Sequence, residues 1–273
     1  EKGGVFASIW GVYNLLPEHL RKNVIGVIVN KFRGDLTLFD EGIRIIQEDF
    51  KIPVLGVLPY LPFNLGFEDS ASLKNFVQQP RNKKLDIAVI GYPYMSNYND
   101  FEPLIADDEV FVEFVSSNIS LEKFDLVILP GSKLVIKDLI WLKQTGLFEQ
   151  IKNYKKDICA ICGGYEMMFE SLNDIYALEN EQALKEEGFG FIPDIITFEK
   201  EKILEKKTYD LFGEKIEGFE IHHGMCENYP LSFEKQNFKG TFVHQIFDNN
   251  EFRTKYFKSI KTDYIGFDFQ EYK

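Results

Sequence analysis

Apolar residues in this chain are gathered into short continuous runs, with little strict alternation. Val24-Ile25-Gly26-Val27-Ile28-Val29 and Val54-Leu55-Gly56-Val57-Leu58 are β-branched or aliphatic almost throughout. Runs of that kind suit strands buried on both faces, as in a parallel sheet. Between them, Leu38, Phe39, Ile43, Ile46 and Phe50 recur at near-helical spacing within Leu36 to Phe50. Strand, helix, strand predicts a βαβ unit with a right-handed crossover. Upstream, Glu1-Lys2-Gly3-Gly4-Val5-Phe6-Ala7 reads as the end of a strand running into a glycine turn, as though the chain starts inside a fold.

The pattern breaks at Gln78-Gln79-Pro80-Arg81-Asn82-Lys83-Lys84, which is polar, charged and without apolar period. Strand-like runs resume at Leu85 to Gly91, Val110 to Val115 and Leu126 to Leu129, separated by stretches of helical length. This is again an α/β pattern around a parallel sheet. The expected organisation is a first domain over 1–77, a linker over 78–84, a second domain over 85–255 and a tail over 256–273.

Composition narrows the classes. A length of 273 residues suggests two domains, and 45% hydrophobic content supports sizeable cores. A net charge of −12 argues against nucleic-acid binding, which needs a basic face to displace counterions. No apolar run approaches the ~20 residues that span a bilayer, and no signal-peptide layout opens the chain. Three cysteines are too few for a disulfide framework, so a soluble, cytoplasmic chain with reduced thiols is expected.

The strongest local signal is Asp157-Ile158-Cys159-Ala160-Ile161-Cys162-Gly163-Gly164-Tyr165-Glu166-Met167-Met168. A short apolar strand runs into Cys-Gly-Gly, and Tyr165 to Leu172 reads as a helix. Such a strand-to-helix elbow presents a nucleophile: glycines permit the turn, and the helix N-terminus favours thiolate at Cys162. The Gly163 amide is then a natural oxyanion donor. Two plainer readings compete. Cys159 and Cys162 could be a redox pair or, with His222, His223 and Cys226, a zinc site, or they could simply be buried. No metal is expected, because Cys159 falls at an inward strand position between Ile158 and Ile161. A cysteine nucleophile needs a base. His19 reads as surface, and spacing alone does not choose among His222, His223 and His244.

In the first segment, the loops Asn30-Lys31-Phe32-Arg33-Gly34-Asp35 and Pro59-Tyr60-Leu61 follow predicted strands, where open α/β sheets bind ligands. Asn30 and Asp35 could equally cap the next helix. The sequence contains no G-x-x-x-x-G-K-[ST] phosphate loop.

The runs Glu1 to Ser8, Gly26 to Asp35, Gly56-Val57-Leu58-Pro59-Tyr60 and Glu68-Asp69-Ser70 resemble successive signatures of the cobyric acid synthase family. The second domain resembles that family's class I glutamine amidotransferase domain along nearly all of 85–255. The motifs are Ser96 to Leu104, Leu129-Pro130-Gly131-Ser132-Lys133, Ile161 to Tyr165, Gly188-Phe189-Gly190, Glu220-Ile221-His222-x-Gly224 and Gly240-Thr241-x-x-His244-x-x-Phe247-Asp248. The resemblance implies Cys162 as nucleophile and His244 as base, with Gly131, Ser132, Gly163 and Glu166 around the oxyanion and the glutamine. It implies a truncated, dethiobiotin synthetase-like P-loop sheet followed by a flavodoxin-like amidotransferase domain, with the first half of the synthetase domain lost upstream.

Three departures stand out. The family's Gln four residues after the nucleophile is Glu166, its Gly after the catalytic histidine is Gln245, and its usual Arg is Met225. The third acid that many amidotransferases place two residues beyond the histidine is also missing, which implies a Cys–His dyad. The activity implied is glutamine- and ATP-dependent amidation of the b, d, e and g side-chain carboxylates of a corrinoid. This chain would carry the glutaminase half. ATP and magnesium would serve the full-length enzyme without being bound by this fragment, although Asn30 and Pro59 would edge the adenine. The sister cobyrinic acid a,c-diamide synthase and a non-catalytic docking module are the alternatives.

Overall fold

The structure, a computed structural model, describes residues 4–60 and 83–272 of the chain. Leu61, the Glu68-Asp69-Ser70 motif and residues 78–82 of the predicted linker lie outside the described residues, as do Glu1 to Gly3.

The chain divides into two units, Glu1–Leu65 and Gly66–Lys273. In the first, helices α1 (Val5–Leu15) and α2 (Glu18–Arg21) precede strand β1 (Val27–Phe32). A 3₁₀ turn at Leu36–Phe39 leads into α3 (Asp40–Arg44), a π-helical turn at Ile45–Asp49, and β2 (Val54–Pro59). The strands pair in parallel, with Val27 opposite Val54 and Val29 opposite Val57. The predicted strand–helix–strand unit is therefore present, with Val29, Ile46 and Ile52 buried in it. The expectation of a strand at Val5 to Ala7 is wrong, because these residues open α1. Phe6 and Trp10, one helical turn apart, meet Phe39 and Phe50 from one helix face, the first pair stacked and the second tilted.

The strands of the second unit are β3 (Leu85–Ile90), β4 (Met95–Ser96), β5 (Val110–Val115), β6 (Leu126–Leu129), β7 (Gly131–Ser132), β8 (Asp157–Ile161), β9 (Phe169–Asp174) and β10 (Leu184–Glu187). They continue with β11 (Ile192–Leu211), β12 (Glu214–Met225), β13 (Ser232–Lys235) and β14 (Phe238–Thr241). The helices are α4 (Glu102–Ala106), α5 (Val135–Thr145), α6 (Leu147–Lys152), α7 (Gly163–Glu166), α8 (Asn250–Ile260) and α9 (Phe269–Tyr272). Six strands form the central sheet in the order β13-β14-β8-β6-β3-β5. All pairs are parallel except the edge hairpin β13–β14. Counting the parallel strands in chain order gives 2-1-3-4-5, the flavodoxin-like arrangement. The near-continuous apolar runs of β3, β6 and β8 are buried along their lengths, as strands covered on both faces must be.

A second sheet, β10-β9-β11-β12, packs beside the first and was not legible as such. The predicted helix Tyr165 to Leu172 is corrected here. Helix α7 stops at Glu166, and β9 begins at Phe169, pairing antiparallel with β10 and parallel with β11. Strand pairing that buries Phe169 and Leu172 overrides the local helical pattern.

Four adjacent strands of the central sheet, β14, β8, β6 and β3, send their carboxyl ends to one place. Beyond them lie His244, Cys162, Gly131 with Ser132, and Asn97 with Asp100.

Candidate active site

Cys162 follows the last residue of β8 and adopts φ 49° and ψ −111°, a conformation rarely open to a residue with a side chain. The turn is held from both sides. The Cys162 N–H donates to Thr241 O at 2.8 Å, and the Gly164 N–H donates to Pro130 O at 2.9 Å. Gly164 has to be glycine, since a Cβ there would fall 2.2 Å from Leu129 O. The Cys162 thiol is buried and donates to Ile221 O on β12 at 3.5 Å. Helix α7 is only four residues long, so it offers the sulfur nearby amides and little macrodipole.

His244 lies within hydrogen-bonding reach of Cys162 and is fully buried. Its Nδ1 is 2.7 Å from Asp100 Oδ2, and the other Asp100 oxygen accepts the Gln245 N–H at 2.8 Å. With Nδ1 held by Asp100, Nε2 is the ring nitrogen left to face Asn97 Nδ2, 3.1 Å away, and to exchange a proton with the sulfur. Phe219 stacks on the ring, and its carbonyl accepts the His244 N–H at 2.8 Å. Burial alone would lower the imidazole pKa, but the charges of Asp100 and the Cys162 sulfur, with their hydrogen bonds, push it up to about 10. The other histidines are engaged elsewhere. His222 stacks on Phe242, with Nδ1 at Gly224 O and Nε2 at Glu220, while His223 Nδ1 sits at Glu199 O. His19 belongs to α2.

Asp100 and Asn97 escaped the sequence reading. Both lie in the quoted run Ser96 to Leu104, where two acids, Asp100 and Glu102, among polar and apolar residues are the available signal. The expected dyad thus has an acid on its histidine, supplied from beyond β3 and not from two residues downstream.

The Gly131-Ser132 strand pairs with Met95-Ser96, tying this loop to the one that carries Asn97. Ser132 Oγ donates to Asp138 Oδ2 at 2.6 Å and accepts the Leu134 N–H at 3.1 Å, while Asp138 Oδ1 accepts the Tyr94 N–H at 3.1 Å. Burial raises the Asp138 carboxyl to about 6. The Ser132 hydroxyl is thereby engaged away from Cys162, and its amide nitrogen lies beside the elbow: a Cβ on Gly163 would meet it at 2.6 Å. A Cβ on Gly131 would meet His244 Cε1 at 3.0 Å.

Glu166 ends α7 four residues after Cys162 and is 4% exposed. Its Oε1 accepts the Gly224 N–H at 3.1 Å. Burial, then the charge of Glu179, drives its carboxyl well above the usual range. Gln245, at φ 63°, occupies the left-handed region, which explains why a glycine suits this position.

Cys159 is fully buried in β8, and burial pushes its thiol up to about 12. Among the described residues no three His, Cys, Asp or Glu side chains are gathered to hold a metal. In the first unit Asn30 is exposed, and its Oδ1 accepts the Lys31 N–H at 2.8 Å. Asp35 does cap: its Oδ1 accepts the Thr37 N–H at 2.9 Å. Pro59 is exposed at the end of β2, opposite Phe32.

Residues 86–252 match the CobB/CobQ-like glutamine amidotransferase domain, and residues 1–64 match the CobQ/CobB/MinD/ParA nucleotide binding domain. The chain is 68% identical to the cobyric acid synthase of Acinetobacter baylyi over 273 residues, covering all of this chain and 59% of that protein. It is 39% identical to the cobyric acid synthase of Clostridium tetani over 285 residues, 96% of this chain and 57% of the relative. The chain thus spans less than two thirds of these curated relatives. A crystal structure of a glutamine amidotransferase aligns with a TM-score of 0.46 at 11% identity, covering 64% of this chain and 97% of that one. With a match over more than half its length, this chain belongs to the CobB/CobQ-like glutamine amidotransferase family.

Proposed function

We infer that the second unit hydrolyses the side-chain amide of glutamine through a cysteinyl thioester. The observation that carries this is the buried Cys162, held at φ 49° within reach of a histidine that Asp100 pins at 2.7 Å. His244 Nε2 takes the Cys162 proton, and the sulfur attacks the amide carbon. The resulting oxyanion sits against the Gly163 and Ser132 amides. The C–N bond breaks as imidazolium returns its proton to nitrogen, releasing ammonia. Water, deprotonated by His244, then hydrolyses the thioester to glutamate and restores the thiol. Throughout, Asp100 keeps the tautomer fixed and balances the imidazolium charge.

In the full-length protein the ammonia would amidate corrin side-chain carboxylates (b, d, e and g of adenosylcobyrinic acid a,c-diamide) activated by ATP and magnesium. The cobyric acid synthases at 68% and 39% identity support this reading. Asn30 and Pro59, at the carboxyl-end side of β1 and β2, are the residues of this chain assigned to the base-recognition edge.

The test is release of glutamate and ammonia from glutamine. Cys162→Ala should abolish it and Cys159→Ala should keep most of it. His244→Ala should cost about 10²–10⁴-fold, more than His222→Ala or His223→Ala. Equal losses from the two cysteine variants would favour a redox or metal pair. A stepwise mass decrease of a cobyrinic acid a,c-diamide, as –NH2 replaces each carboxyl –OH, by the full-length protein with glutamine, ATP and magnesium, tests the coupled reaction.

A further inference from the structure

Asp138 is buried in the first turn of α5 and takes no part in the chemistry above. Both of its oxygens are engaged. Oδ2 accepts the Ser132 hydroxyl at 2.6 Å, and Oδ1 accepts the Tyr94 N–H at 3.1 Å. Two donors on two oxygens suit a carboxylate, which only accepts. Ser132 lies in β7, and Tyr94 directly precedes its partner β4, so one side chain braces both sides of that small ladder.

The register of the ladder fixes which way the Ser132 amide faces. In an antiparallel pair, opposed residues alternate between hydrogen-bonded and non-bonded. The Lys133 N–H donates to Tyr94 O at 2.8 Å, which makes the next pair, Ser132 with Met95, the non-bonded one. The Ser132 N–H is therefore turned away from β4, and the elbow packs against that same nitrogen: a Cβ on Gly163 would fall 2.6 Å from it. One end of the loop is tied down, since Pro130 O accepts the Gly164 N–H at 2.9 Å and the Tyr92 hydroxyl. The Ser132 side chain sets the tilt of its own peptide, and Asp138 and the Leu134 N–H hold that side chain.

We propose that Asp138 is a positioning residue: acting through the Ser132 hydroxyl, it holds the Gly131-Ser132 loop so that the Ser132 N–H meets the oxyanion. Resting on the glutaminase reading, this role adds to it the group that keeps one of the two oxyanion donors in place. Such a donor works by being already aimed when the charge develops, and losing it outright costs about 10²–10³-fold in kcat. Asp138 braces it from a helix, a firmer base than a loop. The competing role is capping. Leu134, which precedes α5, makes no side-chain cap; Ser132 Oγ on the Leu134 N–H and Glu179 Oε2 on the Ile136 N–H, at 3.0 Å, serve instead. A capping network alone would stabilise α5 and leave turnover per folded molecule unchanged.

The experiment compares the 273-residue chain with Asp138→Asn, Ser132→Ala and the double variant. Asn presents only one acceptor oxygen, so it cannot accept from both Ser132 and Tyr94. Three quantities are measured: kcat and KM for glutamine per titrated Cys162, the rate of Cys162 alkylation by iodoacetamide, and the melting temperature. Alkylation needs the thiolate but no oxyanion donor. Asp138→Asn should lower kcat about 10–100-fold, less than outright loss of the donor, with KM within about threefold. Its alkylation rate should stay near that of the parent. The double variant should lose no more kcat than the more affected single variant, because both changes act through one hydroxyl. A lower melting temperature with kcat unchanged would overturn the proposal and leave Asp138 a helix cap. Additive losses in the double variant would overturn it too, as would a parallel loss of alkylation, which places the defect at the nucleophile. Should Asp138→Asn fail to fold, Ser132→Ala decides: kcat lost at an unchanged alkylation rate supports the proposal, and parental turnover overturns it. A parent protein that releases no glutamate would remove the glutaminase reading and this role with it, whereas variants that match an active parent remove this role alone.

Discussion

Asp100 makes the residue-scale account testable. Its two oxygens hold the His244 ring and the next backbone amide, at 2.7 Å and 2.8 Å. Asp100→Asn should keep the fold but favour the wrong tautomer, lowering kcat by about 10²–10⁴-fold. Loss below tenfold would mean that the acid orients nothing. The same pair has a stability signature. His244 binds its proton more tightly folded (about 10) than at its ordinary value of 6.5. Its contribution is therefore fully present below the ordinary value and is lost as pH rises through about 10. Melting temperature should fall across that window, and Asp100→Asn should flatten the fall. Cys162 carries a different cost, the strain of φ 49°. Cys162→Ala and Cys162→Gly should be equally inactive. The glycine variant should nevertheless be more stable than the alanine one by about 1 kcal/mol, because only glycine relaxes there. Equal stability by denaturant titration would show that the elbow is unstrained.

The elements divide into those that local pattern reveals and those that distant pairing decides. Strands β3, β5 and β6 were readable because each is a short apolar run buried on both faces. The elbow was readable because Cys-Gly-Gly after such a run has few other uses. Asp100 was not, because its partner lies 144 residues away and no local period links them. Strand β9 was mistaken for helix because its apolar residues acquire meaning only against β10 and β11. The lysines and glutamates of Glu199 to Lys207 likewise hid the 20-residue β11, a strand specified by its β12 partner and not by a buried face. The turn after His244 gives a prediction at this scale. Gln245→Gly relieves a left-handed φ of 63° and should stabilise the second unit by about 0.5–1 kcal/mol. A lower melting temperature would show that the Gln side chain contributes more than its backbone costs.

At the scale of the whole molecule the two units differ in what they bury. The second has a continuous core from Leu85 to Tyr264. The first has a two-stranded parallel sheet with Ile28 58% and Leu55 55% exposed. Two strands rarely make a self-sufficient sheet, and bare aliphatic faces associate. Residues 83–272 alone should therefore melt cooperatively, while the 273-residue chain should aggregate unless Ile28→Lys and Leu55→Lys are introduced. Aggregation unchanged by those substitutions would place the sticky surface elsewhere. The chain also encodes no phosphate loop, so calorimetry should show no ATP binding. Micromolar affinity would mean that the first unit grips phosphate by other means.

The central claim is that Cys162 alone among the cysteines is the nucleophile, because only its sulfur sees His244. Its most direct test is peptide mass spectrometry of the folded chain after exposure to a chloroketone analogue of glutamine. The account predicts one adduct, on Cys162, with Cys159 and Cys226 unmodified and the reaction slowed in Asp100→Asn and His244→Ala. An adduct on Cys159, or a folded chain that takes up none, would contradict it.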